Sequence, residues 1–171
     1  MKTLAAALIA TIPLAIGPPA ARAEHTLIDL DTAPGNYSVW RVTDLKASSI
    51  AFIATFAKVQ KHERWAPRYA VTLSDGKGHS VVFGGTYVGS KTPQASVTLL
   101  GGGTKTVLSA ESILMLNLEE HYTVRLEWTD GSVKVTVNGK QKEYKIGFAP
   151  SEIEISSSTG ELEVKDIQFG A

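Results

Sequence analysis

One stretch of the chain, from Tyr122 to Tyr144, alternates apolar and polar residues with a period of two. That period places one face of a β-strand against a core and the other face in water. Asp130-Gly131 and Asn138-Gly139 interrupt the alternation, and both dipeptides favour tight hairpin turns because their residues tolerate positive φ. The sequence therefore predicts three consecutive antiparallel strands. The expected inward residues are Tyr122, Val124, Leu126, Trp128, Val133, Val135 and Val137.

Most of the remaining chain consists of short alternating or β-branched segments bounded by Gly, Pro, Asn, Asp or Ser. The segment Ser49–Val59 could also form a helix because of its alanines, but β-branched and aromatic residues dominate it and favour a strand. About a dozen strands at spacings of about ten residues are typical of an all-β sandwich or barrel. The further expected strands are Tyr37–Val42, Ser49–Val59, Arg68–Leu73, His79–Phe83, Gln94–Leu100, Thr104–Leu108, Ile113–Leu118, Glu152–Ser156 and Leu162–Phe169.

The N-terminal segment has the order of a secretory signal peptide. Lys2 precedes the apolar run Leu4–Ile16, and Ala21-Arg22-Ala23 resembles a cleavage site. The apolar run is shorter than the roughly 20 residues that span a bilayer. We therefore expect a signal peptide at residues 1–23, a single mature domain at residues 24–171, and no integral membrane protein.

The absence of cysteine excludes disulfides. Because small exported domains of animals are often stapled by disulfides, we expect a secreted or periplasmic protein, of the kind found in bacteria. Loss of Lys2 and Arg22 with the leader leaves a slightly acidic chain without a basic stretch for phosphates. Nucleic acid is therefore not an expected partner.

Two parts of the sequence resemble a known family. Glu127-Trp128, Asp130-Gly131 and Asn138-Gly139-Lys140 resemble the central hairpins of concanavalin A-like lectin/glucanase domains, including laminin G-like ones. Gly160–Phe169 is similar to their terminal strand, which pairs beside the N-terminal one. The resemblance extends over Ser49–Phe169 and implies an all-β, two-sheet antiparallel jelly-roll sandwich with a concave and a convex sheet. Such a fold does not imply one function.

The resemblance raises the question of glycosidase activity, which needs two carboxyl groups about 5 to 9.5 Å apart. Glucanases of this superfamily carry three alternating acidic residues on one strand. Here Glu152 and Glu154 match two of them, and Ser156 occupies the third place. Alternating glutamates are also typical of a solvated strand face. We therefore predict no catalytic residue, with Glu152 and Glu154 as the candidates if the chain is a glycoside hydrolase or lyase.

The segment Lys58–Tyr69 gathers charged and amide side chains around a large aromatic residue. Sugars stack on Trp or Tyr while polar side chains bind their hydroxyls, so Trp65, Arg68 and Tyr69 are predicted ligand contacts. Tyr87, in a glycine-rich stretch, is a fourth. The alternatives are that Trp65 folds back over the sandwich and that the glycines mark a bend at a sheet edge.

Lectin relatives often bind calcium through loop oxygens, and Asp75, Asp130 and Asn138 lie in predicted turns. Turn formation already explains these residues, so we predict no metal ligand and no cofactor, with calcium as the alternative. The predicted function is a non-catalytic carbohydrate- or glycoconjugate-binding module. The alternatives are the glycoside hydrolase or lyase and a module that binds a protein of the cell envelope.

Overall fold

The computed structural model describes residues 27–60, 62–86, 94–101, 103–109 and 118–171. The predicted signal peptide, Tyr87 and all but the last residue of the predicted strand Ile113–Leu118 lie outside these ranges. The described part of the chain contains no helix long and apolar enough to cross a membrane.

Ten strands make up the described structure. They are β1 (Ile28–Val42), β2 (Ser49–Val59), β3 (Arg68–Ser74), β4 (Ser80–Thr86), β5 (Gln94–Gly101), β6 (Thr104–Ser109), β7 (His121–Thr129), β8 (Ser132–Val137), β9 (Lys140–Lys145) and β10 (Glu152–Gly170).

The strands form two antiparallel sheets that share β1 and β10. The first sheet has the order β6-β5-β4-β3-β10-β1 and uses residues 152–158 of β10 and 37–42 of β1. The second sheet has the order β9-β8-β7-β2-β10-β1 and uses residues 160–170 and 28–32. This architecture confirms the predicted jelly-roll sandwich.

The two sheets pack face to face through their apolar sides. Phe56 of β2 contacts Tyr69 of β3 with ring centroids 6.2 Å apart, and Phe83 of β4 contacts Tyr144 of β9 at 6.1 Å. Both pairs join one sheet to the other, so aromatic rings fill the space between them. The most deeply buried apolar side chains come from both sheets: Leu73, Val81, Ile153 and Ile155 from the first, and Ile50, Leu126, Val133 and Val164 from the second.

The hairpins from Tyr122 to Tyr144 form as predicted. All the expected inward residues of β7 and β8 are buried except Val124, which is partly buried against the core. Asn138 and Gly139 both have positive φ, 46° and 78°, as a tight turn with two left-handed residues requires. Ser49–Val59 forms a strand over its whole predicted length, and the helix alternative is wrong there.

The prediction of two separate strands at the C-terminus is wrong, because β10 continues through Thr159 and Gly160. Thr159 has a φ of 54° and bends the strand without ending it. Its neighbour β1 pairs with β10 on both sides of this bend, from Ile28 onward, which also makes β1 longer than the predicted Tyr37–Val42. Pairing on both flanks therefore overrides the local turn signal.

Tyr69 lies between the sheets. Two adjacent glycines of β4 face opposite sides of that strand, Gly85 the inner side and Gly84 the outer side. A Cβ added at Gly85 would lie 2.3 Å from Cε1 of Tyr69, whereas a Cβ at Gly84 would lie 3.4 Å from Nη2 of Arg68 on the outer face. The Tyr69 hydroxyl is buried without a hydrogen-bond partner among the described residues, and burial raises its pKa. The ring of Tyr69 therefore occupies the space that a side chain at position 85 would need.

We expect Gly85→Ala to destabilise the protein by about 1–3 kcal/mol, because overpacking displaces Tyr69 or the backbone. Gly84→Ala is the matched control on the same strand, and its methyl group makes only ordinary van der Waals contacts. Urea unfolding of both variants measures the difference. Equal losses of stability in the two variants would contradict this account of Gly85.

We expect Tyr69→Phe to keep or raise the free energy of unfolding, by up to about 1 kcal/mol, because it removes a buried hydroxyl that has no partner. Tyr69→Ala should instead cost about 3–5 kcal/mol through the cavity that it leaves. Thermal and urea unfolding measure both changes. A clear destabilisation by Tyr69→Phe would mean that the hydroxyl is hydrogen-bonded in solution.

Candidate functional site

An open groove of about 490 Å³ lies on the outer face of the first sheet. It combines strand residues from β1, β3, β4 and β10 with the end of the β2–β3 loop. The lining residues are Tyr37, Arg64, Trp65, Ala66, Arg68, Ala70, Thr72, Val82, Ser156 and Ser158.

The floor of the groove consists of small side chains. Ala70 of β3 alternates along the strand with buried Val71, and Ser156 of β10 alternates with buried Ile155. Ala70 and Ser156 are cross-strand partners on the same face, and the Ser156 hydroxyl donates to the Ala70 carbonyl oxygen at 3.4 Å. Because these side chains are short, they form the bottom of the groove between the larger residues, and Ala70 and Ser156 are 6% and 2% exposed.

Trp65 lies at the groove in the β2–β3 loop, and its side chain is 47% exposed. The loop is anchored where it leaves β2, since the backbone amide of Gln60 donates to the Thr159 carbonyl oxygen at 3.1 Å. Further along, the His62 ring packs against Gly35, where an added Cβ would lie 2.9 Å from Nε2. These contacts hold the loop against the bends of β1 and β10, so that Trp65 lines the groove.

Tyr37 of β1 is a second exposed aromatic residue of the groove, at 57%. Its hydroxyl donates to Oε1 of Glu154 at 2.7 Å, and Nε of Arg41 donates to Oε2 of the same carboxylate at 3.1 Å. Partial burial is the main cause that raises the pKa of Tyr37, and the bond to Glu154 raises it further. Glu154 therefore orients the Tyr37 ring along the sheet face.

Glu152 and Glu154 share the outer face of the first sheet, as the alternation predicts, but neither lines the groove. Glu152 accepts a hydrogen bond from the Ser74 hydroxyl at 2.9 Å. Both oxygens of Glu154 are occupied by Tyr37 and Arg41, and the bonds to Glu154 raise the pKa of Arg41. The two carboxylates thus have structural partners on the sheet.

Two arginines bring positive charge to the groove. Arg68 begins β3 and extends over Gly84, whose missing side chain leaves room for the guanidinium. Arg64 precedes Trp65 in the loop, and its backbone amide donates to Nδ1 of His62 at 3.2 Å. Both side chains are exposed, and neither forms an ion pair within the described ranges.

Of the four predicted contacts, the structure brings Trp65 and Arg68 together in one groove. Tyr69 points the opposite way and is 6% exposed, so we leave it out of the site. Tyr87 lies outside the described residues. Sequence reasoning missed Tyr37. The one available signal was a large aromatic residue at the start of a predicted strand, on the same strand face as the polar Arg41.

Two of the turn residues considered for calcium already accept hydrogen bonds, Asp75 within its own turn and Asn138 from the neighbouring strand β7. Partial burial alone would raise the pKa of Asp75, but hydrogen bonds from the His79 side chain and from the backbone amides of Lys77 and His79 lower it to about 2. Oδ1 of Asn138 accepts from the backbone amide of Thr123 at 2.8 Å. Across the described ranges, no group of three or more His, Cys, Asp or Glu side chains is placed to hold a metal ion.

No family model and no curated protein sequence matches the chain. Solved structures do match its fold. CG-16, a homodimeric agglutinin from chicken liver, superposes with a TM-score of 0.58 at 14% identity over 78% of this chain and 100% of its own. A toad ovary galectin in complex with thio-digalactose gives 0.52 at 14% identity, covering 76% and 96% of the two chains.

The carbohydrate-binding module CBM66 from Bacillus subtilis also matches, with a TM-score of 0.53 at 10% identity over 87% of this chain and 93% of its own. At such low identity these likenesses concern the fold. They show that the chain has a two-sheet jelly-roll fold, which is the architecture that the sequence resemblance predicted.

Proposed function

We propose that this protein is a carbohydrate-binding module whose site is the groove containing Tyr37, Trp65 and Arg68. The observation that carries the proposal is the pairing of two exposed aromatic side chains in one groove whose floor consists of small residues. A sugar ring packs an apolar face on an aromatic ring while its hydroxyls bind polar side chains. The groove offers both kinds of contact.

The orientation of Tyr37 supports a binding role. Because Glu154 holds the hydroxyl and Arg41 holds Glu154, the ring is positioned before any ligand arrives. A ring that is already ordered loses less conformational entropy when it binds, which favours affinity. The Tyr37–Glu154–Arg41 contact is thus explained as support for the site.

The same contacts support a module without catalysis. A glycosidase needs one carboxyl group that gives a proton and a second that acts as base or nucleophile beside the scissile bond. Here Glu154 is bonded to Tyr37 and Arg41, and Glu152 to Ser74, away from the groove lining. We assign both glutamates to structure.

The fold supports the proposal at a general level, since the toad galectin was solved with a galactoside analogue and CBM66 is a carbohydrate-binding module. Because one fold hosts many functions, the proposal depends mainly on the side chains of the groove. We further propose, from the signal peptide that the sequence predicts at residues 1–23, that the protein is exported and meets a polysaccharide or glycoconjugate outside the cytoplasm.

We expect Trp65→Ala to weaken glycan binding at least about tenfold, because a buried aromatic contact at the centre of an interface commonly contributes this much. Isothermal titration calorimetry against a panel of neutral and acidic polysaccharides measures the change. Phe169→Ala is the matched control, since Phe169 is also an exposed aromatic, 43% accessible, but lies outside the groove lining.

Three results would overturn the proposal. The first is no binding to any glycan of the panel, and the second is equal binding by Trp65→Ala and the wild type. The third is release of reducing sugar that Glu154→Gln abolishes, which would identify a glycoside hydrolase. If an envelope protein were captured through a surface insensitive to Trp65→Ala, the protein-binding alternative would replace the glycan module.

A further inference from the structure

We propose that the groove selects glycans carrying an anionic group, a carboxylate or a sulfate ester, and that Arg68 binds this group. The inference rests on the proposed function and adds the ligand class to it. It concerns the charge of the groove, which the aromatic residues alone do not explain.

Arg68 presents a free guanidinium at the groove. The side chain is exposed, lines the groove and extends over Gly84, where an added Cβ would lie 3.4 Å from Nη2 in ordinary van der Waals contact. It forms no ion pair in the part of the chain that the structure describes. Guanidinium stays charged at every physiological pH and matches a carboxylate or similar oxyanion with two parallel hydrogen bonds.

The acidic residues of the same sheet face do not neutralise Arg68. Arg68 pairs across the strands with Ser158, whereas Glu154 lies four residues further along β10. No ion pair joins the two side chains among the described residues. Glu154 is also already paired with Arg41.

The outer face of the second sheet shows the opposite arrangement. Arg125 is paired with Glu127 at 3.1 Å, Lys134 reaches the same carboxylate at 2.6 Å, and Lys165 is paired with Glu163 at 2.7 Å. The whole sequence has equal numbers of basic and acidic residues, so unpaired arginines do not result from a general excess of base. Among the four arginines of the described residues, Arg41 and Arg125 form ion pairs, and the two without one both line the groove.

Arg64 adds a second positive charge beside Trp65. Its guanidinium is exposed at the groove, while its backbone amide is fixed by His62. A sugar ring on Trp65 or Tyr37 would thus bring its substituents near two cations. The combination of stacking surface and free guanidinium groups fits an acidic sugar better than a neutral one.

The test uses matched pairs of probes. Polygalacturonate is compared with its methyl ester, and dextran sulfate with dextran, so that each pair differs in charge on one backbone. Alginate, hyaluronan and heparin extend the acidic set, galactan and levan the neutral set, and inorganic polyphosphate is a polyanion without sugar. Binding of the full chain is measured by calorimetry at physiological salt and at higher salt.

We expect at least one acidic glycan to bind at least about tenfold more tightly than its neutral counterpart or any neutral glycan, and less tightly as salt rises. Arg68→Gln should remove most of this preference, so that the acidic and neutral members of each probe pair bind with similar affinity. Arg68→Lys keeps the positive charge but loses the planar guanidinium group, so its affinity for the acidic glycan should be intermediate. Arg125→Gln is the control with the same change of net charge, and should bind as the wild type does.

The possible failures are distinguishable. If Trp65-dependent binding is strongest for neutral glycans, or Arg68→Gln binds acidic glycans as the wild type does, the inference is wrong and the proposed function stands. If polyphosphate binds as tightly as the best acidic glycan and Trp65→Ala does not weaken that binding, the groove is a general anion surface and the inference is wrong. If no glycan binds, both proposals fail. Thermal unfolding of each variant confirms that it is folded.

Discussion

A small set of hydrogen bonds at Thr159 connects the closure of the sandwich to the groove. Thr159 is fully buried and adopts a left-handed φ, which lets β10 pass from one sheet to the other. Its hydroxyl accepts a hydrogen bond from the backbone amide of Gly35 at 3.2 Å, and its carbonyl oxygen accepts one from the backbone amide of Gln60. The bends of β1 and β10 and the start of the Trp65 loop are therefore fixed together.

Glycine at position 160 completes this junction. A Cβ there would lie 2.6 Å from the carbonyl oxygen of Lys58, a backbone atom that cannot move without disturbing β2. The chain thus crosses between sheets at a point where backbone approaches backbone. Since an unpaired buried backbone group costs as much as a lost hydrogen bond, we regard the junction as the part of the fold that tolerates change least.

The hairpin of β3 and β4 divides its residues between core and groove. Gly85 faces inward and accommodates Tyr69, while Gly84 faces outward and accommodates Arg68. Residues one position apart therefore serve packing on one side and recognition on the other, because side chains alternate across a strand. The toad galectin and CBM66 share the fold at low identity, so the fold alone does not identify a ligand for this protein.

The sequence by itself determined the elements whose signals are local. The period of two predicted the hairpins from Tyr122 to Tyr144 and the strand Ser49–Val59. The mixture of polar and aromatic residues in the loop indicated Trp65 and Arg68 as binding residues. These features depend on residues that are close in the chain, so a pattern of a few residues reveals them.

Only the tertiary structure decided how distant strands meet. Tyr37 and Glu154 lie 117 positions apart and become neighbours only because β1 pairs with β10. The alternation near Tyr69 shows that adjacent residues face opposite ways, but pairing with β4 and β10 decides which way is inward. The same long-range pairing carries β10 through the turn signal at Thr159, because bonds to β1 on both sides of the bend outweigh a local preference.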